Sequence, residues 1–243
     1  MIYLGPVSGR HGTWRSINVP ADGRNVTGHA RACPRWQRHC HVMDTIPHST
    51  MGNLVVGNYD LNLSVRGRIA SGNAFIYNIT SRRWTLVRLH HSLATKTTLY
   101  AIWQDGGPGS PRYTLAGGSS ARGGRRGFLI NYNERTGAFG RPTFYRYGNR
   151  PARYTHFEGI TTAPGGFNLV AMSSGHDPAL VYIPVRGASF GRARWYPVPV
   201  AASPLCPCQA VSGNTVWRNH VMGLFVPASS PGANTYLATL QAP

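Results

Sequence analysis

Phe75-Ile76-Tyr77-Asn78, followed by Trp84-Thr85-Leu86-Val87-Arg88-Leu89, is the stretch that decides how this chain is read. Aromatic and β-branched residues fill both segments. The polar run Thr80-Ser81-Arg82-Arg83 between them suits a turn, so the pair reads as two adjoining strands. The unit then returns. Gly127-Phe128-Leu129-Ile130-Asn131-Tyr132 precedes Thr143-Phe144-Tyr145-Arg146-Tyr147, and Ala179-Leu180-Val181-Tyr182-Ile183 precedes Arg194-Trp195-Tyr196-Pro197-Val198. Ile2-Tyr3-Leu4 precedes Thr13-Trp14-Arg15-Ser16-Ile17 in the same way.

Two further strand-like stretches precede each of the later units, which gives four short strands per module. Anchored on the third strand, the modules start this unit at Phe75, Phe128, Leu180 and Tyr236, separated by 53, 52 and 56 residues. A near-constant period of this size with four strands in each repeat predicts an all-β fold, a β-propeller rather than a two-sheet sandwich. The blades are expected at residues 53–97, 98–154, 155–205 and 206–243 of a single domain, 1–243. The fourth module lacks an aromatic last strand, and residues 1–20 offer one around Trp14. Circular closure by that N-terminal strand would leave no exposed edge. A fifth, degenerate blade would need residues 2–7 together with residues 20–51. The region 21–52, with His29, His39, His41, His48, Cys33 and Cys40, reads as a Cys/His-rich insertion.

Composition agrees with many strands and turns: 29 Gly and 18 Pro among 243 residues, with no sustained helical periodicity. No apolar run approaches the roughly 18 residues of a membrane span. The N-terminus lacks the basic start and apolar run of a signal peptide. The formal charge is +18, from 24 Arg and one Lys against seven acids. Such a field favours anionic partners, an acidic polysaccharide or an acidic protein first, with nucleic acid as a weaker case. Nine of the arginines lie between Arg112 and Arg153.

Strands such as Leu54-Val55-Val56-Gly57-Asn58-Tyr59 and Val221-Met222-Gly223-Leu224-Phe225, each leading to a Phe-Ile/Leu-Tyr type strand, give residues 53–243 a resemblance to the HAF-type extracellular repeat. Asn73-Ala74-Phe75 is the nearest match to its signature. The resemblance implies a propeller-like array in a secreted or surface protein. It transfers no activity and no catalytic residue, and the high Arg content and the Cys/His-rich insertion depart from the pattern.

The chemistry-bearing residues fall into four groups. Cys33, Cys40, Cys206 and Cys208 are even in number, which predicts disulfides whose pairing stays open. Cys206 and Cys208 are too close for an easy mutual bridge. Cys33 with Cys40 would close a loop, and either of them joined to Cys206 or Cys208 would fasten the ring seam. Zinc held by Cys33, Cys40, His41, Cys206 and Cys208 is the alternative, at a spacing unlike that of known fingers. For catalysis, Asp105 and Glu158, with His156, would have to face one cleft as a glycosidase pair. Pairing of each with Arg is the plainer expectation. For binding, Arg112, Arg122, Arg125 and Arg126 are the cationic candidates, with Phe128 beside the Arg-Gly-Gly-Arg run as a stacking surface. Trp103, Trp217, Tyr100, Tyr113 and Tyr154 are the candidate glycan platforms, whereas Trp14, Trp84 and Trp195 occupy last-strand positions and are expected in the core. The expectation is a non-catalytic binding module at the cell surface or outside the cell, with no cofactor and no resident metal. A carbohydrate-active enzyme and a self-associating array subunit are the alternatives.

Overall fold

The computed structural model describes residues 1–5, 11–21, 26–27, 32–33, 39–65, 68–69, 72–89, 96–121, 124–147, 154–173, 178–198, 200, 208–228 and 232–241. They form an all-β structure, with no helix among the described residues. Two compact units divide the chain at Leu99 and Tyr100.

In the first unit, β1 (Ile2–Leu4) and β2 (Thr13–Arg15) make a two-stranded sheet of their own. β3 (Val26–Thr27) comes next, and then an antiparallel meander starts. Its strands are β4 (Val42–Met51), β5 (Leu54–Leu61), β8 (Asn73–Asn78) and β9 (Trp84–Val87), with the small hairpin β6 (Ser64–Val65) and β7 (Arg68–Ile69) inserted after β5. β3 adds to its outer edge, parallel to β9. Ile17, Val19 and Cys33 pack into one core with Val55, Tyr59, Phe75, Tyr77, Trp84 and Leu86. Trp84 is buried beside Phe75 and Tyr77, with ring centroids 5.1 and 4.5 Å away.

β10 (Lys96–Asp105) runs from the first unit into the second. There it neighbours β11 (Arg112–Ala121), which pairs with β12 (Gly124–Asn133), on which β13 (Ala138–Phe139) and β14 (Thr143–Tyr145) are laid. β15 (Tyr154–Ala163), β16 (Gly166–Ser173) and β17 (Ala179–Arg186) form the next meander, with β18 (Ser189–Phe190) and β19 (Arg194–Pro197) along β17. β20 (Cys208–Trp217), β21 (His220–Pro227) and β22 (Asn234–Thr239) complete a three-stranded sheet.

The first strands of the four modules, β4, β10, β15 and β20, are each ten residues long. They begin 54, 58 and 54 residues apart. Phe75 pairs with Gly57, Phe128 with Gly117, Leu180 with Val170 and Tyr236 with Gly223. Three of the four anchors thus cover a glycine on the neighbouring strand, where a ring fills the space a side chain would take. A Cβ at Gly57 would sit 2.2 Å from the Ile46 carbonyl oxygen and 2.7 Å from the Phe75 ring.

In the second unit β16 and β17 are buried on both faces, which is why Leu169-Val170-Ala171 and Ala179-Leu180-Val181-Tyr182-Ile183 read as unbroken hydrophobic runs. Leu169, Ala171, Val181 and Ile183 join Ala101, Ala116, Leu129 and Tyr145 of the preceding sheet in one core. Val170 and Leu180 face the other way and pack with Val216 and Val221. Trp195 lies in the first of these cores against Tyr147 and Phe157.

Two expectations need correction. Residues 42–51 are not part of an insertion. They are β4, paired with β5, whose regular alternation is interrupted by a bulge between Pro47 and Ser49. The closing pairing expected of the N-terminal strand is not among the pairings of the described residues. β2 pairs with β1, and Trp14 is 69 % exposed instead of buried in a core.

Candidate binding site

The site is built by two neighbouring hairpin ends. Ala163-Pro164-Gly165-Gly166 closes β15 onto β16. Proline presets the first turn residue, and Gly165 takes the left-handed conformation at φ 68°. Trp217-Arg218-Asn219-His220 closes β20 onto β21, and there the left-handed residue is Arg218, at φ 54°. Gly159 lets the two hairpins approach, since a Cβ on it would be 3.1 Å from the Thr215 Cα and the Val216 nitrogen.

Between the hairpin ends lies a cavity of about 600 Å³. Its inner surface includes Thr161 and Asn168, a cross-strand pair on β15 and β16. They are 1 % and 2 % exposed. Asn168 donates through Nδ2 to the Arg218 carbonyl at 2.9 Å, which ties one hairpin to the turn of the other. The Thr161 Oγ1 and Asn168 Oδ1 atoms are buried and have no hydrogen-bond partner. The outer wall is Trp217, 60 % exposed, with the Arg218 guanidinium 5.8 Å from its ring centroid. Asn219 holds this wall to the end of β22. Its Nδ2 donates to the Leu240 carbonyl at 2.8 Å, and the Leu240 amide donates back to the Asn219 carbonyl at 3.0 Å.

The carboxylates considered for catalysis sit elsewhere in the second unit and have separate partners. Asp105, at the end of β10, accepts a hydrogen bond from Thr114 Oγ1 at 3.0 Å. Burial raises its pKa, and the Thr114 hydroxyl and the Arg112 charge only partly offset this. Glu158 stands at a bulge between Phe157 and Gly159, which turns it out of the regular alternation. There its Oε1 is 2.6 Å from His156 Nε2, and the His156 ring is stacked on Tyr100 at 4.4 Å. Neither carboxyl lines the cavity between the hairpins.

The remaining candidates separate by exposure. Arg125 is exposed, and its neighbour Arg126 points to the other face of β12, with its guanidinium 4.3 Å from the Phe144 ring centroid. Phe128 is fully buried and offers no stacking surface. Tyr113 is buried too, and its hydroxyl donates to Glu134 Oε2 at 3.3 Å. Trp103 is partly buried against the core shared with Ala101. Arg112 is exposed. Arg122 and Cys206 lie outside the described residues, as do the side chains of Tyr154 and Cys208. Of the proposed aromatic platforms, Trp217 is the one exposed large side chain among the described residues.

Cys33 and Cys40 form a disulfide with each other. That pairing removes both from a seam link to Cys206 or Cys208, and it removes their thiolates from the zinc set. No group of three or more His, Cys, Asp or Glu among the described residues is placed to hold a metal. No helix among them is long and apolar enough to cross a membrane.

Thr161, Asn168, Arg218 and Asn219 were not singled out by the sequence. Two signals were available: a lone Asn inside the apolar run Phe167-Asn168-Leu169-Val170-Ala171, and a two-residue turn that holds Arg where glycine is usual. No protein-family model matches the chain, and no curated protein matches it.

Proposed function

We propose that the chain is a non-catalytic binding module for an anionic polymer, an acidic polysaccharide in the first place. The observation that carries this reading is the uncompensated cationic charge. Seven carboxylates can match at most seven of the 25 Arg and Lys side chains, which leaves a surplus of 18. Several of those carboxylates also serve internal donors: Asp60 accepts from the Gly72 amide, Asp105 from Thr114 and Glu134 from Tyr113. A surface of this kind concentrates polyanions and steers them in, with a strong dependence on ionic strength.

The finer architecture belongs to the same proposal. The four modules are read as propeller blades of the HAF-type repeat, a reading supported by their four-strand order and near-constant spacing. A surface or extracellular setting is supported by the Cys33–Cys40 disulfide, since such bonds persist in oxidising compartments. Self-association is a second reading. It is favoured by Met222 and Leu237, an exposed cross-strand pair on β21 and β22, and by the exposed Leu224 two residues along.

The test is binding of heparin, with dextran as the neutral control, across a salt series. Heparin affinity is expected to fall steeply with salt and dextran binding to be absent. Arg112→Ala and Arg125→Ala are each expected to shallow the salt slope. Heparin binding that ignores salt would refute the proposal. Sedimentation of Leu237→Glu beside the unaltered chain checks the second reading, which requires the variant to be the smaller species.

A further inference from the structure

We infer that the cavity between the two hairpin ends takes one acidic sugar residue, a carboxylated pyranose within the anionic polymer proposed above. The inference rests on that reading and narrows it to a site and a chemistry.

The first argument is the pair of buried polar atoms. Thr161 and Asn168 sit opposite each other, both buried, and Asn168 stands inside the apolar run of β16. A buried hydroxyl or amide oxygen without a partner is a standing cost, and valine or leucine would fill either position without it. Both residues line the cavity, and the two atoms without partners are Thr161 Oγ1 and Asn168 Oδ1. One donates or accepts and the other accepts, side by side on adjacent strands. Neighbouring ring hydroxyls of a pyranose present the complementary donors and acceptors.

The second argument is the wall. An exposed indole offers a flat apolar surface for the C–H face of a sugar ring, and its large area makes it effective at a binding surface. Arg218 stands beside that ring. Its guanidinium is a planar fork suited to a carboxylate, and it adds charge selectivity to what would otherwise be a neutral sugar site. Asn168 links the two halves, because its Nδ2 fixes the turn through the Arg218 carbonyl while its Oδ1 has no partner. The volume, about 600 Å³, falls in the range of roughly 300–1,000 Å³ usual for small-ligand pockets.

The experiment measures binding of a short oligogalacturonate, its neutral oligogalactoside counterpart and heparin to the full chain and to two variants, Thr161→Val and Trp217→Ala. Thr161→Val keeps the shape and removes the hydroxyl, so its melting temperature is expected to stay level or rise. Its oligogalacturonate affinity is expected to fall roughly tenfold. Trp217→Ala alters an exposed side chain, leaves the fold intact and is expected to lose more than tenfold. Oligogalacturonate affinity unchanged in both variants, with salt-dependent heparin binding intact, overturns the subsite and leaves the polyanion reading standing. Equal binding of the neutral oligogalactoside overturns the acidic specificity. Failure of the unaltered chain to bind either polyanion overturns the parent reading, and this inference with it.

Discussion

Two hairpins of one design end in different turns. Met51-Gly52-Asn53-Leu54 closes β4 onto β5, and Trp217-Arg218-Asn219-His220 closes β20 onto β21. The turn backbones match, with φ of 58° at Gly52 and 54° at Arg218. Glycine adopts that conformation freely, whereas a residue with a Cβ is strained there by about 1–2 kcal/mol. The first hairpin therefore carries a turn suited only to connecting strands. The second holds an arginine in an unfavourable conformation beside a cavity with two unpaired polar atoms. Strain of this sort gathers at binding sites, because the surrounding structure must hold it in place. The difference separates what the hairpin needs, a left-handed turn residue, from the side chain that one of them adds there, as His11 and Arg82 also do elsewhere.

The largest test of this contrast concerns what the hairpins share. Gly57 and Gly223 occupy the same row, each under an aromatic ring and beside a carbonyl of its module's first strand, so alanine at either is expected to cost about 3 kcal/mol. Urea unfolding checks this, and a tolerated Gly223→Ala would show that the modules are not equivalent. Next comes the disulfide carried by the first module's N-terminal flank. Replacing Cys33 and Cys40 together by Ser is expected to cost about 2–3 kcal/mol from the short loop it closes, seen as a lower melting temperature.

The turns themselves give the sharpest comparison. Arg218→Gly is expected to stabilise the chain by about 1 kcal/mol while weakening oligogalacturonate binding, and Gly52→Ala to destabilise it by a similar amount. Like signs for the two substitutions would end the argument from strain. The smallest effect is at Asp105. Its folded-state pKa is raised above the unfolded value, so its contribution is fully present below the unfolded pKa and is lost as pH rises through the folded one. Asp105→Asn is therefore expected to be neutral or stabilising near pH 7, with that advantage vanishing as the solution is acidified. Unfolding free energies measured across pH would show it.

The strands were legible because their chemistry is redundant. Phe75 shares a core with Trp84, whereas Leu180 lies on the opposite face of its sheet from Trp195, so the apolar runs marked the strands and not the face each anchor presents. β4 was hidden because Pro47 breaks the pattern, the bulge shifts it, and Met43, Asp44 and Ile46 face outward. Aromatic content marked Trp217 and Tyr113 alike, yet one is exposed and the other buried. Residue type does not say which face a strand presents. Thr161 and Asn168 were illegible for a different reason. A polar residue in an apolar strand ordinarily has a partner, and only coordinates reveal that these two atoms have none.

The reciprocal hydrogen bonds between Asn219 and Leu240 have a mechanical meaning. A pull along β22 reaches the turn through two bonds that share the load, and Asn219 is itself part of the cavity wall. The strand end and the cavity wall are thereby one hydrogen-bonded unit, so a pull on β22 is a pull on the turn that carries Trp217 and Arg218.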